Sequence, residues 1–160
     1  MKLLHPLFML GFMYWLYMQR NLGLSLLDHD RRHAPADDGF EGRKARHRTW
    51  GWLLTGFCFA GLIAGALLTG WVYPQIQEPF GQTYGHGYIG ALGLGCLIIS
   101  LILGLTIKSV VKPRIRERFV SFHTNIVYLI AVFAVLSLVT GAGILILGPS
   151  QPTTQIQVVP

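Results

Sequence analysis

The chain has 160 residues, of which 52% are hydrophobic and 12% charged, and a net charge of +6. Soluble globular domains carry roughly a quarter charged residues, so this composition excludes that class and points to an integral membrane protein with a single domain, residues 1–160. Two cysteines, Cys58 and Cys96, lack the C-x-x-C spacing of a membrane thiol oxidoreductase and read as small packing residues.

Four apolar stretches, at about 3–22, 50–73, 87–107 and 122–147, meet the ~20 residues that a hydrocarbon core requires. The first opens Met-Lys like a signal peptide, but it lacks a small-residue cleavage site and continues into a Trp-Tyr-rich half, so we read it as a retained helix. Pro6 fits the first turn, where its missing donor costs nothing. The polar run DHDRRHAPADDGFEGRK then marks 24–46 as a surface loop. His29 and His33 lie four apart within it, but among so many Asp and Arg they read as solvated loop residues.

The second stretch is free of charge and has Trp at both ends, as interfacial anchoring predicts. The connection YPQIQEPFGQTYG leads to the third stretch, a basic segment around 108–118 leads to the fourth, and 149–160 is expected to be a disordered tail. Of the 13 Lys and Arg, all but Lys2 fall around the first and third connections. The positive-inside rule therefore predicts an all-α, up-down four-helix bundle with both termini on the non-cytoplasmic side. The basic residues are juxtamembrane and mixed with acids, so nucleic acid is excluded as a partner and the lipid membrane is the expected one.

His5, His47, His86 and His123 each stand at the start of one apolar stretch. Intramembrane ionisable residues are costly and usually functional. In an up-down bundle, helices 1 and 3 run parallel, as do helices 2 and 4, so His5 pairs with His86 near one face and His47 with His123 near the other. Bis-histidine haem needs one imidazole from above and one from below, and this layout offers two such sites. Metal ligation is assigned to these four residues.

Eighteen residues beyond each histidine stands a glycine: Gly23, Gly65, Gly104 and Gly141. Eighteen residues are about five turns, or about 27 Å, which returns each glycine to its histidine's face at the far membrane edge. There it clears space for the other cofactor. Gly51 and Gly90 follow His47 and His86 by one turn, while Val127 takes that place after His123. Arg48 and Arg118, with Arg46 and Arg116, flank the cytoplasmic-side pair and are candidates for holding haem propionates.

LHPLFMLGF, RHRTWGWLL, GHGYIGALG and RERFVSFHTN carry a resemblance to the cytochrome b561 superfamily, over about 3–147. More closely, the chain resembles a four-helix family of cyanobacteria and plastids catalogued as a domain of unknown function. The resemblance implies two haem b groups, bound by His5/His86 and His47/His123, and electron transfer across a thylakoid or plasma membrane. Expected partners are a redox donor and a redox acceptor, with a homodimer or a larger membrane complex as assembly. No substrate motif, flavin fingerprint or nicotinamide fingerprint is present. The competing expectation is a haem-free accessory or assembly subunit of a photosynthetic or respiratory complex, suggested by small size and glycine-rich helix faces. A transporter fits less well, since no acidic or basic residue lies at mid-membrane.

Overall fold

The computed structural model describes residues 4–31, 38–72 and 83–148, and all of its regular structure is helical. Four helices follow in order: α1 (Leu4–Arg31), α2 (Asp38–Val72), α3 (His86–Ile107) and α4 (Pro113–Leu147). By length and composition α2, α3 and α4 are apolar enough to cross a membrane, consistent with an integral membrane protein. α1 is not among them, because Gln19, Arg20 and Asn21 interrupt its apolar run.

The helices are longer than the apolar stretches. Most of the expected loop 24–46 is helix, with α1 running on to Arg31 and α2 beginning at Asp38. Likewise α4 starts at Pro113 rather than near 122. The residues that open α2 include Glu41, Arg43, Lys44 and Ala45, which favour helix without favouring lipid. Lys44 and Glu41 form an ion pair at 3.3 Å, one turn apart. His29 stacks on Phe40 with ring centroids 4.1 Å apart, tying the extension of α1 to that of α2. Lys2, His33, the stretch 73–82 and the tail 149–160 lie outside the described residues.

Caps fix the ends that frame the bundle. Gly85 precedes α3 with φ 73° and ψ 6°, a left-handed conformation that glycine adopts without strain. Lys112 is extended before Pro113, whose ring suits the first turn of α4. Gly148 closes α4 by donating its N–H to the Ile144 carbonyl at 3.0 Å.

The helices form a ring in which α1 packs on α2, α2 on α3, α3 on α4, and α4 back on α1, while the backbones of the diagonal pairs α1/α3 and α2/α4 stay more than 8 Å apart between Cα atoms of the described residues. The interior seam follows one spacing. Starting from each histidine, steps of 4, 3, 4, 3 and 4 residues end on the glycine eighteen positions later. On α1 the seam reads His5, Met9, Phe12, Leu16, Gln19, Gly23, and on α4 it reads His123, Val127, Ile130, Ala134, Ser137, Gly141. This alternation is the heptad pattern of left-handed helix packing. Phe12, Leu16, Leu54, Leu97, Ile130 and Ala134 lie on it and belong to the buried core, which fills the bundle between a histidine layer at each end. Cys58 and Cys96 pack against this core as free thiols. The outer faces carry exposed apolar side chains such as Phe59, Leu67, Val132 and Val139, a surface suited to lipid.

Candidate functional site

Histidines meet in two pairs. The rings of His5 and His86 have centroids 5.8 Å apart and an interplanar angle of 83°. Those of His47 and His123 are 6.3 Å apart at 76°. Both pairings follow the diagonals of the bundle, so each joins two helices whose backbones stay apart.

Each imidazole sits against a glycine of its antiparallel neighbour. A Cβ built on Gly65 would lie 3.3 Å from His5 Cε1, and one on Gly23 would lie 3.0 Å from His47 Cε1. In the other hairpin, a Cβ on Gly141 would come within 3.1 Å of His86 Cε1, and one on Gly104 within 3.5 Å of His123 Cε1. The exchange is reciprocal: α1 gives a histidine to α2 and receives one from it, and α3 and α4 do the same. All four glycines therefore lie at the opposite site, where a methyl group would crowd the ring in three of the four cases. They clear room for an imidazole directly, which is a closer role than the open cofactor space expected of them.

The orientation of two rings is set by hydrogen bonds from Nδ1. His123 Nδ1 reaches the Ser100 carbonyl at 2.9 Å, with Ser100 Oγ at 3.2 Å. A carbonyl only accepts, so Nδ1 carries the proton and the Nε2 lone pair is free. His86 Nδ1 lies 3.1 Å from Thr140 Oγ1. Thr140 already donates its single proton to the Leu136 carbonyl at 2.8 Å, so its oxygen accepts from His86. Such anchors orient the rings of metal-binding histidines and raise their basicity.

The rings contributed by α1 and α2 are held differently. His47 Nδ1 is buried and without a hydrogen-bond partner. The Gln19 main chain lies against the His47 ring, but outside hydrogen-bond geometry at Nδ1. Gln19 Nε2 instead donates to the His47 main-chain carbonyl at 2.7 Å, fixing the backbone at this position. The His5 ring meets His86 and has no side-chain hydrogen-bond partner among the described residues.

A cavity adjoins each pair. The one at His47 and His123 measures about 690 Å³ and is lined in part by Gln19, Arg20, Lys44, Arg48, Lys108 and Arg116. The one at His5 and His86 measures about 240 Å³ and is mainly apolar, with Thr69, Thr83 and Ser137 as its polar side chains. Gly51 lines the larger cavity beside the Gln19 side chain, and Gly90 lines the smaller one against Leu62. Arg48 faces the larger cavity as expected. Arg118 does not; it is on the exposed side of α4, and Arg116, two residues earlier, lines the cavity wall.

Sequence reasoning missed Ser100, Ser137, Thr140 and Gln19. Three of them share a signal, since Gln19, Ser100 and Ser137 each stand four residues before one of the glycines, with Gly61 in the fourth place. No cluster of three or more His, Cys, Asp or Glu able to hold a metal exists among the described residues. Each pair thus offers two ligands, and a metal held there must bring the rest of its coordination with it. No family model, curated protein or solved structure matches the chain.

Proposed function

We propose that the chain is a transmembrane di-haem b-type cytochrome, an up-down bundle with both termini on the non-cytoplasmic side, carrying single electrons between a donor at one membrane face and an acceptor at the other. The observation that carries this reading is the pair of facing imidazoles at each end of the bundle. Two imidazoles sharing one metal ion, with bonds of about 2 Å and about 1 Å from each nitrogen to its ring centre, would have centroids about 6 Å apart. The measured separations are 5.8 and 6.3 Å. A macrocycle would supply the four ligands that the pairs lack, and bound iron would supply reversible one-electron chemistry.

The chain's own residues hold, orient and insulate. His5 and His86 bind at one layer, His47 and His123 at the other, with the Nδ1 bonds of His86 and His123 presenting Nε2 inward. The glycines keep the rings close to the neighbouring helix. Arg48 and Arg116 at the wider cavity suit carboxylates at the rim of a macrocycle. Phe12, Leu16, Leu54 and Ile130 exclude water between the layers. Eighteen residues of helix separate a histidine from its glycine, about 27 Å of rise, which is close to the ~30 Å of a hydrocarbon core.

Purified protein is expected to show a Soret band, a reduced-minus-oxidised difference spectrum and two haems per chain. Alanine at His5 or His86 should alter one haem, and alanine at His47 or His123 the other. Colourless protein from haem-replete cells would overturn the proposal in favour of a haem-free accessory subunit.

A further inference from the structure

The two histidines of each pair are not equivalent. α3 and α4 each give a ring locked at Nδ1, His86 by Thr140 and His123 by Ser100. α1 and α2 give rings without such a lock, and the Nδ1 of His47 is buried with no partner. An anchored imidazole keeps its lone pair aimed at one point, whereas an unanchored ring turns away at the cost of its metal contact alone. Release also needs space. The cavity beside His47 is about 690 Å³, against about 240 Å³ beside His5.

We infer that His123 is the holding ligand and His47 the releasable one, so that the wider site can bind a small neutral ligand such as carbon monoxide in the place His47 vacates. The inference rests on the haem reading above. In the exchange the His47 Nε2–iron(II) bond breaks, the ligand's carbon donates its lone pair to form the new bond, and no electron or proton is transferred. Gln19 keeps the His47 backbone in position throughout through its 2.7 Å bond to the main-chain carbonyl, so the ring can return. The narrower site, at about 240 Å³, gives the His5 ring less room to swing aside.

The test uses the full chain with its haem, reduced by dithionite and exposed to carbon monoxide. The expected result is a shift in about half of the ferrous Soret absorbance, one haem of two. His47→Ala should keep haem at the wider site, high-spin in the ferric state, and bind carbon monoxide faster than the parent chain. His123→Ala should lose that haem at least about tenfold more readily than His47→Ala, the scale typical of an anchoring partner. Gly23→Ala leaves both ligands in place but brings a methyl to 3.0 Å from His47 Cε1, so it should speed carbon monoxide binding at the wider site without removing a ligand. Two haems that do not respond to carbon monoxide, or equal haem loss from His47→Ala and His123→Ala, overturn this inference and leave the di-haem reading intact. Absence of any Soret band overturns both.

Discussion

The Thr140 hydroxyl has one proton, and its 2.8 Å bond to Leu136 determines what it does for His86: the oxygen is left to accept from Nδ1. Valine at position 140 preserves shape and removes that acceptor. We expect Thr140→Val to weaken haem retention at the His5/His86 layer by about tenfold, read by haem titration, with the other layer unchanged. Ser100→Ala should act more mildly, because the closer acceptor for His123 is the Ser100 carbonyl, which alanine retains. The contrast explains what was legible at this scale. Histidines and glycines eighteen apart are visible because residue type carries their role. The anchor at Ser100 is a main-chain oxygen, which every residue has, so no spacing rule picks it out until the neighbouring helix is in place.

At the scale of the helix, apolar stretches report contact with lipid and core, whereas helicity follows backbone preference. The apolar limits therefore located the four helices but missed their ends, since the polar segments that open α2 and α4 are good helix formers. The consequence for the site is that His47 is the tenth residue of α2 and His123 the eleventh of α4, well inside a helix, while His5 and His86 stand in the first turn of theirs. The 4-3 seam accounts for why the interior closes at all, and Gly61 is its tightest point. A Cβ there would meet Phe8 Cε1 at 2.8 Å, and Phe8 is stacked on Phe57 with centroids 3.7 Å apart. That stacking resists a shift of the ring. Gly61→Ala should destabilise the α1/α2 pair by about 1–3 kcal/mol, the usual cost of overpacking, measured by unfolding in detergent. Gly70 and Gly56, with open space around the same built Cβ, should tolerate alanine.

For the whole molecule, the packing ring and the charge distribution make separate demands. The reciprocal histidine–glycine contacts require α1 and α2 to run antiparallel, and α3 and α4 likewise, so the α3–α4 connection at 108–112 and the residues before α3 lie at opposite ends. The positive-inside rule predicts that the basic end, with Lys108, Lys112, Arg114 and Arg116, faces the cytoplasm. Two exposed positions separate these statements experimentally, Tyr84 before α3 and Ser109 in the α3–α4 connection. In a chain whose half-buried Cys58 and Cys96 are replaced by alanine, single Tyr84→Cys and Ser109→Cys variants are offered a membrane-impermeant maleimide on intact cells. Labelling of the Tyr84→Cys chain alone is the expected result, and Ser109→Cys should react only after the membrane is opened. Reaction of both from outside would deny that α3 spans the bilayer. The reverse pattern would keep the bundle and both histidine layers but place the wide, cation-lined cavity at the outer face, where its redox partner would then have to be sought.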